Sequence, residues 1–249
     1  MRVLIVEDEK GLAESMRRGL VGEGFVVLAL LLIFQTGTGE LDQRLLATVI
    51  SVRSPDLTAF ASAVTRLGSW SAVVCLGLAA ALVLGLRSRR VLLPLALLGA
   101  LAAAASLVTI LKIVFDRPRP PAELVVGVPL SSDAFPSGHT TSGSVLVILT
   151  TAMLGLTVGS ALLRRLLIIG GCLVALLIGC SRTYLGLHWP SDVLGGWLLA
   201  TVMVSVTMAL VNLALVPYPG GETVPDVLDR RPDPDKTPMV LQQAGERGD

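Results

Sequence analysis

The chain has 249 residues, 53% of them hydrophobic and 16% charged, with a formal net charge of +1. That composition is too apolar for an ordinary soluble domain and marks a polytopic membrane protein. Near-zero net charge, with arginines scattered between apolar runs, excludes a nucleic-acid binder, which needs a concentrated basic face.

The opening MRVLIVEDEKGLAESMRRGLVGEGFVV resembles the first strand and helix of a response-regulator receiver domain, with Glu7 and Asp8 at that family's acidic, metal-binding pair. The likeness ends with residues 1–27, because LALLLIF begins where further strands, a phospho-accepting aspartate and a later lysine should follow. No phosphorelay is expected, and residues 1–27 read as a fused or misassigned start, not a complete domain. These residues are charged and the apolar part starts late, which argues against a cleaved signal peptide. Gly24 to Phe34 is apolar but covers only about half of a bilayer core at about 1.5 Å per residue. Extended back to Gly19 it reaches, with Arg17 and Arg18 at the headgroups, and would give a first span.

In LDQRLLATVISVR, Leu41, Leu45, Leu46, Val49 and Val52 recur at helical spacing, which predicts an amphipathic helix lying on the outer surface. Five further runs, residues 68–86, 91–114, 140–163, 166–182 and 193–216, have the length and composition of membrane spans. The expected fold is therefore all-α, a six-helix membrane bundle. RSRR at 87–90 and RR at 164–165 mark cytoplasmic loops, and Arg2, Lys10, Arg17 and Arg18 put the N-terminus on the same side. By alternation residues 115–139 and 183–192 face outward, while the polar tail, 217–249, returns to the cytoplasm and is expected to be disordered. Cys75, Cys172 and Cys180 lie inside apolar runs without a C-x-x-C pair, so reduced, buried thiols are expected.

Three outward-facing segments hold polar groups that a bilayer would otherwise exclude: KIVFDRPRP (112–120), FPSGHTT (135–141) and SRTYLGLHWPSD (181–192). Ser137 precedes a helical run and reads as its N-cap, leaving backbone N–H groups of Gly138, His139 and Thr140 to face an anion. Gly138 lets a ligand approach the backbone. Lys112, Arg119 and Arg182 add three cations that can converge on one phosphate. His188 stands before Trp189-Pro190, where a helix should begin, and Asp192 falls in that helix's first turn. A carboxylate there can hold one ring nitrogen and leave the other as a nucleophile, while His139 is placed to protonate a leaving oxygen. Two histidines and Asp192 could also form a metal set, but three adjacent cations oppose a divalent ion. Asp116, Arg117 and Asp133 read as structural, or as supports behind the residues that meet the phosphate.

These segments resemble the three signature motifs of the type 2 phosphatidic acid phosphatase (PAP2) superfamily, K-x6-R-P, P-S-G-H and S-R-x5-H-x3-D, without departure. The resemblance covers residues 28–216 and implies a membrane-embedded lipid phosphate phosphatase without cofactor or metal. It implies phosphate binding by Lys112, Arg119, Arg182, Ser137, Gly138 and His139. By the same likeness His188 forms a phosphohistidine, Asp192 orients it and His139 protonates the departing lipid oxygen. Phosphatidic acid, phosphatidylglycerophosphate and undecaprenyl diphosphate are candidate substrates, met at the outer face of the cell membrane, with both termini cytoplasmic. The superfamily's soluble haloperoxidases and acid phosphatases are excluded by the spans. A non-catalytic lipid-binding or transport protein that keeps the pocket is the alternative.

Overall fold

The computed structural model describes residues 39–128 and 133–215. The receiver-like start, the candidate first span and the polar tail lie outside them. Among the described residues the secondary structure is wholly helical: α1 (Glu40–Ser51), α2 (Pro55–Thr65), α3 (Trp70–Ser88), α4 (Leu92–Phe115), α5 (Gly138–Leu156), α6 (Ala161–Tyr184) and α7 (Pro190–Leu215). The helices α3 to α7 are long and apolar enough to cross a membrane. The chain divides into a compact unit that ends at Val211 and a second from Asn212, of which only the last residues of α7 are described.

The helix starts are written in serine. Ser54, Ser69, Ser137 and Ser160 cap α2, α3, α5 and α6, each accepting a first-turn backbone N–H that has no partner within its own helix. Arg89 and Asp116, in the left-handed region at φ 54° and 41°, end α3 and α4. The five long helices run alternately up and down. The N-termini of α3, α5 and α7 therefore gather at one end with the C-termini of α4 and α6, while residues 89–91 and 157–160 turn the chain at the other.

The centre of the bundle is α5, with 56% of its most apolar stretch buried against 17–22% in the other four long helices. Its sequence explains this, since Thr140, Thr141, Ser142, Gly143 and Ser144 are small enough to let neighbouring helices approach closely. Thr151 lies against Gly171 of α6, and Thr140 against Gly196 of α7. On the far side Trp197 of α7 fills the space over Gly179 and donates its indole N–H to Ala175 O at 3.0 Å.

Several expectations change in detail. Arg164 and Arg165 belong to the first turns of α6 and not to a loop; Ser160 caps the helix ahead of them, and the arginines extend from its end as snorkelling side chains. The three cysteines are free and exposed, because in a membrane bundle an apolar run turns much of its circumference outward, so apolarity does not imply interior. The amphipathic segment forms α1 as expected, but only Asp42 and Leu46 of it are buried, one turn apart on one face. A second short helix, α2, follows it. Its Thr65 and the 3-10 turn Arg66–Gly68 reach the mouth of α5.

Candidate active site

At the gathered end, α4 delivers Lys112 from its last turn, and DRPRPP then crosses the bundle in an irregular path. Two bonds hold that path: Ala134 N donates to Arg117 O at 2.8 Å, and Trp189 Nε1 donates to Pro118 O at 2.9 Å. Lys112 Nζ donates to Asp133 O, and Arg119 Nη2 reaches the same carbonyl at 3.3 Å. Arg119 Nη1 donates to Leu187 O at 2.6 Å and to His188 Nε2 at 3.1 Å.

That last bond fixes a tautomer. Arginine can only donate, so Nε2 of His188 carries a lone pair and the ring proton of the neutral imidazole sits on Nδ1. Nδ1 faces Asp192 Oδ2 at 3.4 Å, and the same carboxylate oxygen accepts the N–H of Trp189 at 2.9 Å. His188 is 2% exposed. Burial, reinforced by the charges of Arg119, Arg182, Lys112 and His139, holds its imidazole well below the usual histidine range. The folded site therefore refuses a proton that an unfolded histidine accepts. This feature costs stability only as pH falls below about 6.5 and nothing above it. Burial also lowers the Arg119 guanidinium from its ordinary value, with Asp192 and Asp133 acting in the opposite sense.

Arg182 comes from the last turn of α6 and is 2% exposed. Its Nη1 donates to Thr65 Oγ1 at 2.8 Å, whereas its buried Nε and Nη2 have no partner among the described residues. His139, in the first turn of α5, lies within electrostatic reach of Arg182, Arg119 and Lys112. Ser137 is the cap expected from the sequence, but it is fully buried. Its hydroxyl is occupied by Thr140, accepting the backbone N–H at 3.4 Å and the side-chain hydroxyl at 2.9 Å. The first-turn N–H groups of Gly138 and His139 are the ones left for a ligand.

All eight residues singled out in the sequence thus fall at one end of the bundle, around His188. Sequence reasoning missed Thr65, which steadies Arg182. It left Arg117 as structural or supporting without naming its partners, which are Asp192 and Asp42, in ion pairs at 2.6 Å each. The two arginines of DRPRP look alike in sequence, and only the fold assigns one to each end of the His188–Asp192 pair.

Residues 93–215 match the profile described as "PAP2 superfamily". The chain carries a PAP2 superfamily domain. A stretch of 71 residues is 35% identical to an undecaprenyl-diphosphatase of Sulfolobus acidocaldarius, covering 27% of this chain and 29% of that relative. Among solved structures, the PAP2-type phosphatidylglycerolphosphate phosphatase of Bacillus subtilis superposes with a TM-score of 0.73 at 23% identity, over 78% of this chain and 96% of that one. Aquifex aeolicus LpxE superposes at 0.55 with 26% identity, over 70% and 98%. The PAP2 domain is therefore held in an all-helical, multi-pass membrane fold.

Close packing around the PAP2 site leaves little room. A Cβ at Gly68 would stand 2.8 Å from His139 O and 2.9 Å from Ile178 Cγ2. Gly68→Ala is expected to shift the first turn of α5 and to cost about 1–3 kcal/mol as overpacking. A lower thermal unfolding midpoint in detergent, with reduced turnover, checks this. An unchanged midpoint contradicts it.

Proposed function

We propose that this protein is an integral-membrane lipid phosphate phosphatase that removes a terminal phosphate at the outer face of the cell membrane through a phosphohistidine. The observation that carries the reading is Arg182. A buried guanidinium with two nitrogens unpartnered among the described residues, beside Lys112, Arg119, His139 and a neutral His188, calls for a small multivalent anion. The undecaprenyl-diphosphatase relative and the membrane setting favour a lipid-linked phosphate as its source.

Arg119 Nη1 donates to His188 Nε2. Substrate phosphate exchanges with it, taking the guanidinium and freeing the lone pair. His188 Nε2 then attacks phosphorus, the bond from phosphorus to the lipid oxygen breaks, and His139 gives that oxygen a proton. Asp192 accepts the Nδ1–H and steadies the charge that develops on the ring. Lys112, Arg119, Arg182 and the N–H groups of Gly138 and His139 carry the negative charge of the transferring group. Water next attacks the phosphohistidine and loses its proton to His139, and inorganic phosphate leaves with His188 restored.

Charge supports the outward orientation. Arg87, Arg89, Arg90, Arg164 and Arg165 stand at the end opposite the site, and the positive-inside tendency favours the cytoplasm for that end. The basic clamp is supplied by side chains, so activity is expected to persist in excess chelator. Loss in EDTA with rescue by a divalent cation contradicts that. The reading as a whole is tested by phosphate release from phosphatidic acid, phosphatidylglycerophosphate and undecaprenyl diphosphate by the purified full chain in detergent. No release from any of them overturns it, in favour of a non-catalytic lipid-binding protein.

A further inference from the structure

Behind the phosphate site lies a second buried polar cluster, built around Asp192 by Arg117 and Ser191, which the motifs leave unspecified, and by Asp42 of α1, which lies outside them. Arg117 is 5% exposed and donates from Nη1 to Asp192 Oδ1 at 2.6 Å and to Ser191 Oγ at 2.7 Å. From Nη2 it donates to Asp42 Oδ2 at 2.6 Å. Asp42, on the inward face of α1, accepts the backbone N–H of Ser191 at 2.9 Å through Oδ1 and the Ser191 hydroxyl through Oδ2. Asp192 itself is completely buried.

The arrangement has a direction. Asp192 turns one oxygen to His188 and Trp189 N, and the other to Arg117. Its rotamer is thereby fixed from behind. Asp42 supplies the negative charge that lets a single guanidinium be buried between two carboxylates, and it also satisfies an orphan N–H in the first turn of α7. Leu46, one turn further along α1, packs with Trp189 and Ala134 and keeps α1 seated over this point.

We propose that Arg117 and Asp42 are positioning residues for the reaction: through Asp192 they set the orientation of His188 while leaving the phosphate clamp untouched. This rests on the phosphatase reading above. The consequence is a route by which the short surface helix α1, outside the five long helices, bears on the nucleophile. A residue that only stabilises the fold would lower the amount of active protein. A positioning residue changes the rate at the nucleophile and spares substrate binding.

The test uses Arg117→Met, Arg117→Lys, Asp42→Asn and the double variant Asp42→Asn/Arg117→Met in the full chain, beside wild type and His188→Ala. Arg117→Met is expected to lower kcat about 10–100-fold with KM within about threefold, as loss of a residue behind a reacting group does. Arg117→Lys, which keeps the charge, should recover part of the loss, and Asp42→Asn should show a smaller kcat effect of the same kind. The double variant should be no slower than Arg117→Met, because both act through one carboxylate. The near-isosteric Asp42→Asn keeps the question answerable should Arg117→Met fail to fold. Wild-type kcat in Asp42→Asn and in whichever Arg117 variant folds, a rise in KM instead of a fall in kcat, or fully additive losses would overturn the inference. Should wild type itself release no phosphate, the phosphatase reading falls and this inference with it; active wild type, silent His188→Ala and unchanged Arg117 and Asp42 variants defeat the inference alone.

Discussion

Replacing His188 with alanine is expected to abolish turnover, by roughly a thousandfold or more, since in the proposed mechanism it removes the atom that bonds to phosphorus. Phosphate binding should survive. The cations that hold the anion are contributed by α4, the DRPRP crossing and α6, none of which depends on the imidazole for its path. Alanine also frees Arg119 Nη1 from its bond to Nε2, so the clamp loses a competitor. The expected signature is therefore an inactive protein that inorganic phosphate still stabilises against thermal unfolding in detergent. Wild-type rates in this variant would remove the phosphohistidine from the mechanism, and loss of the phosphate effect would show that the ring builds the pocket as well as the bond.

Arg182→Met is expected to raise stability and destroy activity together. Arg182 is a buried cation whose Nε and Nη2 have no partner among the described residues, an arrangement that costs free energy until an anion arrives. An apolar side chain of similar length removes that cost, so the unliganded protein should unfold at a higher temperature. The transition state, however, loses a charge-assisted fork, an effect worth about 3–4 kcal/mol where such donors have been removed, or roughly 10²–10³ in kcat/KM. Phosphate should no longer stabilise the variant. Arg182→Lys should recover only part of the activity, since an ammonium cannot reproduce the planar fork or hold Thr65 in the same way. A destabilised Arg182→Met that still responds to phosphate would mean that the guanidinium has an internal partner and no role in anion binding.

Both expectations depend on features that differ in how visibly they are written in the chain. The histidines, Lys112, Arg119, Arg182 and Asp192 are legible because their spacing is measured against helix ends, and helix ends are marked by Ser137, Pro190 and the limits of apolar runs. The helical period then places Asp192 four residues after His188 on the same side. What was not legible is the pairing of Arg117 with Asp42, a contact across 75 residues between a proline-rich crossing and a surface helix. Nothing local distinguishes Arg117 from Arg119, or Asp42 from Glu40, until α1 is folded over α7. The exposure of the cysteines failed for a related reason. In a bilayer the outside of the bundle is as apolar as its core, so hydrophobicity no longer reports which face is inside. Arg164 and Arg165 read as a loop from their charge between apolar runs, whereas Ser160 caps a helix that already contains them.

The position of α1 gives the site an architecture of two layers. The phosphate-facing layer is made by the five long helices and the segments between them. Behind it, Asp42, Arg117 and Ser191 form a buried polar layer that the membrane spans alone do not supply. The Gly68 contact with His139 makes the same point from the other side, because the turn following α2 presses on the first turn of α5. Segments outside the spans thus meet the site twice, α1 through Arg117 and Asp192 behind His188, and the 3-10 turn at Gly68 against His139.

The stereochemical course at phosphorus tests the phosphohistidine most directly. Hydrolysis of a lipid phosphate made chiral at its terminal phosphorus, by the purified full chain, passes through two in-line displacements if His188 is the nucleophile, so the released phosphate should show net retention. Net inversion would mean that water attacks the lipid phosphate in a single step and would contradict a covalent His188 intermediate.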